Sequence, residues 1–185
     1  TANLPVRYPF GHGLSYTSFA YADLQADGQK VSFTLTNTGK TAGAEVAQVY
    51  ITCRTGKVFR AKKELKGFQK VHLEPGESRR VTISLDDKAF RYFNTLTNRF
   101  ETETANYDIL VGSSVRDIRL STTIRVFGTD AEVPAMPECY RTAQIRNVSD
   151  EDFAALLGHP IPEKPYGQEL TKLDTISRFP DAKNP

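Results

Sequence analysis

The chain has 185 residues, 39% of them hydrophobic and 25% charged, with a net charge of +2 at pH 7. That balance is the composition of a folded domain plus a short appendage, and it excludes a disordered chain. So small a charge gives no basis for nucleic acid or an anionic membrane as partner, and no apolar run approaches the ~18 residues of a membrane span.

Residues 1–16 read as a linker, and residues 1–20 carry no charged-then-apolar signal pattern. Within it, Gly11 and Gly13 permit tight turns, and Tyr8, Phe10, Leu14, Tyr16 and Phe19 are expected to anchor the first strand to a core. From 17 to 127 the period is two. Val31, Phe33 and Leu35 alternate with Ser32, Thr34 and Thr36, the pattern of a half-buried strand. Ala44 to Thr52 is richer in apolar residues on both faces, as suits a central strand. The stretch from Arg60 to Phe68 reads as a loop. Alternation returns in Val81-Thr-Ile-Ser-Leu85, in Tyr107-Asp-Ile-Leu-Val111, which puts Tyr107 on the inner face, and more loosely in Leu120 to Val126. Asp27-Gly28, Asn37-Thr-Gly39, Glu74-Pro-Gly76 and Gly112-Ser-Ser114 punctuate these runs as turns. Strands at near-regular spacing without helical periods predict an all-β sandwich of about seven strands.

Residues 128–185 lose the period and gain prolines, and they predict a mostly irregular, partly helical extension. Ser149-Asp-Glu-Asp-Phe-Ala-Ala-Leu-Leu157 has a helix signature: Ser149 as N-cap, Asp152 in the capping-box position and Gly158 as the stop. Phe153, Leu156 and Leu157 form its apolar stripe. Leu170, Leu173 and Ile176 stand at helical spacing further on. Helices this short need a surface to dock on.

Candidate chemistry is sparse. His12, His72 and His159 are far apart, and neither they nor Cys53 and Cys139 have metal-ligand spacing, so no metal or cofactor is expected. A disulfide between the two cysteines lacks sequence support; free thiols are the expectation, and the absence of a disulfide framework slightly favours the cytoplasm. Asp86-Asp87 and Glu151-Asp152 read as turn and helix-start residues. Gly11-His-Gly-Leu-Ser15 has neither nucleophile-elbow nor phosphate-loop spacing. With no Trp in the chain, Tyr92, Tyr107 and Tyr140 are the aromatic platforms open to a sugar, and packing explains the first two better.

Three blocks in order carry a family resemblance: Arg7-Tyr-Pro-Phe-Gly-His-Gly-Leu-Ser-Tyr-Thr-Ser-Phe19, Lys63-Glu-Leu-Lys-Gly-Phe-Gln-Lys-Val-His-Leu-Glu-Pro-Gly-Glu77 and Tyr107-Asp-Ile-Leu-Val-Gly-Ser-Ser-Val-Arg-Asp-Ile118. Together they resemble the C-terminal fibronectin-III-like domain of family 3 glycoside hydrolases. Phe153-Ala-Ala-Leu-Leu-Gly-His-Pro-Ile-Pro162 and Leu173-Asp-Thr-Ile176 are similar to an extension found in part of that family. The resemblance implies a fibronectin-III/immunoglobulin-like fold and a parent enzyme of the retaining β-glucosidase or β-xylosidase class. Its Asp nucleophile and its Glu acid/base would lie on preceding barrel and α/β domains, so no catalytic residue is expected here. The partners implied are those catalytic domains, with homo-oligomer contacts through the arm as a further possibility. His12, Ser15, Tyr16, Arg60, Lys63 and Glu64 are the interdomain-contact candidates; substrate-binding residues are unassigned. The alternative is a stand-alone carbohydrate- or protein-binding sandwich.

Overall fold

The computed structural model describes residues 5–133, 135–142 and 145–162. Seven strands form two facing antiparallel sheets. In one, β1 (Phe19–Ala26), β2 (Lys30–Asn37) and β5 (Ser78–Ser84) lie in the order β1-β2-β5. In the other, β3 (Gly43–Cys53), β4 (Glu64–Leu73), β8 (Ala105–Gly112) and β9 (Ile118–Val126) lie in the order β4-β3-β8-β9. A two-stranded hairpin, β6 (Arg91–Asn94) and β7 (Arg99–Thr102), is inserted between β5 and β8.

The alternation in sequence becomes the core directly. Val31, Phe33 and Leu35 of β2 face Val49 and Ile51 of β3 and Tyr107, Ile109 and Val111 of β8, all buried. The outward hydroxyls of β2 pair across to β5, Ser32 with Thr82 and Thr36 with Ser78. This is the polar, solvated face that an antiparallel sheet tolerates. Asp27 closes the β1–β2 turn by accepting from the amides of Gln29 and Lys30. At Gly76 the β4–β5 turn uses a φ of 78°, which glycine adopts without penalty.

Two expectations need correction. Glu64 to Phe68 belongs to β4, so the loop ends at Lys63; a bulge opposite Val49 and Tyr50 disrupts the alternation there. Second, Tyr8, Phe10, Leu14 and Tyr16 do not reach the core. They are exposed, Leu14 at 95%, and only Phe19 of that group packs against the core, half-buried.

In the extension, α1 (Glu138–Arg141) precedes α2 (Asp150–Leu157). Ser149 Oγ accepts from the Asp152 amide at 3.1 Å, and Gly158 ends α2 in the left-handed region. The Asp152 carboxylate accepts from the Cys139 thiol at 3.6 Å, which is where that carboxylate goes instead of back to the cap. Leu156 lines a small crevice with Val58, Phe93 and Met136, which places α2 against the hairpin. Both cysteines are free. The Leu170, Leu173 and Ile176 stripe lies outside the described residues.

Candidate interdomain face

The segment before β1 runs as a strap over the outer face of the four-stranded sheet. Strand β3 is buried on both faces: Ala47, Val49 and Ile51 point into the sandwich, while Gln48 and Tyr50 point outward and are still buried. They are covered because the β8–β9 turn and the strap meet above them. Val115 of that turn donates its amide to Phe10 O at 3.0 Å, and Arg116 Nη1 donates to Val6 O at 3.2 Å. Gln48 Nε2 donates to Ser113 O and to Gly11 O, and Tyr50 Oη donates to Gln48 Oε1. From the other side Lys63 Nζ donates to Val115 O at 2.7 Å.

Between strap and sandwich a groove of about 530 Å³ opens, lined among others by Gly11, Leu14, Tyr21, Glu45, Asp117 and Arg119. Tyr21 Oη donates to Glu45 Oε1 at 2.9 Å. Burial pushes the Glu45 carboxyl above its ordinary value, against the pull of the Tyr21 hydrogen bond, and pushes the Tyr21 phenol up as well. Arg119 holds Asp117 with Nε at 2.7 Å from one oxygen and Nη2 at 2.8 Å from the other. That pair, with a hydrogen bond from Ser113, keeps Asp117 below the usual carboxylate range. Each carboxylate is thus committed to a partner in its own domain, one to a phenol and one to a guanidinium. The groove is a polar receptacle with an apolar rim.

Of the six candidates, His12 and Ser15 line this groove. The His12 ring lies tilted beside Tyr8, ring centres 5.5 Å apart, and Ser15 Oγ accepts from the Thr17 amide. Lys63 joins them at the β8–β9 turn, while Tyr16 stands fully exposed beside the groove. Glu64 pairs with Lys66 at 2.7 Å. Arg60 is drawn inside the domain: its Nη2 meets Glu103 at 2.9 Å and its guanidinium lies 5.0 Å from the Tyr92 ring centre. Arg54, by contrast, stays largely exposed and lies 3.7 Å from Asp108 at the surface.

The carboxylate pairs flagged in sequence have structural uses. Asp86 accepts from the Lys88 amide, Asp87 pairs with Arg91, and Glu151 sits in the first turn of α2. Among the described residues no cluster of His, Cys, Asp and Glu is placed to hold a metal. Sequence reading missed Gln48, Glu45, Asp117 and Arg119. Glu45 and Gln48 had a signal, since both are polar residues inside the largely apolar run from Ala44 to Thr52.

Comparison with known proteins agrees with this architecture. The family model described as fibronectin type III-like domain matches residues 45–115, from β3 to the β8–β9 turn. The chain is 40% identical over 172 residues to the thermostable β-glucosidase B of Acetivibrio thermocellus, covering 88% of this chain and 22% of that protein. It superposes on the family 3 β-glucosidase of Bifidobacterium adolescentis with a TM-score of 0.65 and 38% identity, over 71% of this chain and 20% of that one. The chain belongs to the fibronectin type III-like domains of family 3 glycoside hydrolases. A further relative of this fibronectin type III-like domain is the exo-α-(1→6)-L-arabinopyranosidase of Bifidobacterium breve, 43% identical over 68% of this chain and 17% of that protein. The domain therefore spans about a fifth of the length of the relatives it matches.

Proposed function

We propose that this domain is a non-catalytic scaffold within a longer retaining β-glycosidase, where it docks on the catalytic domains and fixes their placement. The observation that carries the reading is the apolar ridge of the strap. Tyr8 is 69%, Phe10 66% and Leu14 95% exposed, and Tyr16 is fully so. Beside them Phe68, opposite Gln48 on β4, and Val46, at the groove, are exposed too. Four large apolar side chains left exposed along one short segment are more than the scattered single residues of an ordinary surface, and such concentrations mark interaction sites. The strap hydrogen bonds hold this ridge in place against the sandwich, so it is presented as a surface.

The activity implied is hydrolysis of a terminal β-linked sugar through a covalent glycosyl-enzyme, with both carboxyl groups supplied by the preceding domains. Relatives named for glucosides and for arabinopyranosides leave the sugar to those domains. The test is an assay on a chromogenic β-glucoside: the 185-residue chain is inert, and the longer polypeptide turns it over. Turnover that follows the 185-residue chain through purification overturns the reading.

A second reading, a carbohydrate- or protein-binding sandwich, is favoured by the polar groove beside the exposed Tyr16. Affinity electrophoresis in soluble glucans separates the two, because a scaffold shows no retardation.

A further inference from the structure

We infer that Gln48 is a positioning residue which, from within the sandwich, sets the course of the linker and so the placement of the domain that precedes it. The inference rests on the scaffold reading and adds the group that governs it. Gln48 is 5% exposed at the middle of β3. Its Nε2 donates to Ser113 O at 2.5 Å and to Gly11 O at 3.4 Å, and its Oε1 accepts from Tyr50 Oη at 2.5 Å. One planar amide thereby joins three segments: central strand, β8–β9 turn and strap. The choice of residue is chemical. A carboxamide offers two donors and an acceptor in one plane; a carboxylate of the same shape turns oxygen toward two carbonyls, and an aliphatic side chain satisfies none of the three.

The strap is shaped to this amide. Gly11 has a φ of 78°, and a Cβ at Gly11 would overlap the Gln48 carboxamide. Glycine is required there both for the backbone turn and for the close approach. Phe10 and Leu14 flank this pinned point, so the direction of the ridge follows from where Gly11 is held. The amide of Val115 on Phe10 O reports the same contact from the turn.

The experiment compares Gln48→Glu, Gln48→Leu and Gly11→Ala in the 185-residue chain and in the longer polypeptide. In the short chain, hydrogen exchange at the Val115 amide accelerates about tenfold in all three at pH 7, the loss of one or two hydrogen bonds, while amides of β2 and β8 keep their protection. In Gln48→Glu the protection returns as pH falls, because the protonated carboxyl again donates to Ser113 O; in Gln48→Leu and Gly11→Ala it does not. A purely structural defect has no such pH dependence. In the longer polypeptide kcat/KM falls in all three variants and recovers at low pH relative to wild type in Gln48→Glu alone. Unchanged Val115 exchange overturns the inference. Loosening in the short chain with wild-type kinetics in the longer one also overturns it, and leaves the scaffold reading standing. Gly11→Ala lies outside β3, so it keeps the test decisive where a Gln48 variant fails to fold.

Discussion

Arg60 and Glu103 form an ion pair at 2.9 Å with side chains only 10% and 9% exposed, tying the β3–β4 loop to the approach of β8. The pair is embedded in further contacts. Glu103 Oε1 also accepts from the amides of Lys57 at 2.7 Å and Val58 at 3.2 Å, and Arg60 Nη1 donates to Phe90 O at 3.1 Å. The guanidinium lies over Tyr92 and within 5.9 Å of the Tyr107 ring centre.

The two halves of this pair are unequal. Glu103→Ala leaves a buried cation and two unsatisfied loop amides, and costs about 3–5 kcal/mol. Arg60→Met fills the space between the rings and leaves the carboxylate its two amide donors, so it costs distinctly less. Urea denaturation of the 185-residue chain, with the m-value held constant, reads the difference directly.

Glu45 predicts a pH dependence of the opposite sign from the usual carboxylate. Its folded pKa is raised, chiefly by burial, so its contribution to stability is fully present below the ordinary value near 4.5 and is lost as pH rises through the raised one. Gln keeps an acceptor for Tyr21 Oη and cannot ionise. Thermal melts of Glu45→Gln therefore match wild type at pH 4 and lie above it at pH 7. A variant less stable than wild type at pH 7 contradicts this.

Helix α2 depends on its cap more than on burial, since none of its residues is fully buried. Ser149→Ala removes the acceptor for the Asp152 amide and costs the helix about 1 kcal/mol. The expected result is a partial loss of helical circular dichroism at 222 nm, with the aromatic near-ultraviolet signal of the sandwich unchanged.

The parts legible in sequence were those governed by local period. The alternation in β2 and β8 specified which residues are buried, and the Ser149–Gly158 signals placed α2. Tertiary choices were not legible. Arg60 sits in a run of basic residues, and nothing local distinguishes it from Lys62 as the one that finds Glu103, forty-three positions away in the chain. The β4 bulge hid the start of that strand by breaking the alternation at Glu64 to Phe68. The linker aromatics misled for a different reason. Hydrophobicity says that Phe10 and Leu14 are to be covered, and it does not say whether the cover is their own domain. Gln48 interrupts the apolar run of β3, yet what it does depends on the strap crossing above it, which no local pattern shows.

Docking of the ridge is tested most directly by Leu14→Ser with Tyr16→Ser, followed by melting both the 185-residue chain and the longer polypeptide. In the short chain these exposed positions are expected to change stability by no more than about 0.5 kcal/mol. In the longer polypeptide each loses a buried apolar contact of about 1.5–3 kcal/mol, so its melting temperature and the glycosidase activity proposed for it fall together at elevated temperature. Equal melting shifts in the two, or no shift in the longer polypeptide, would contradict the scaffold account.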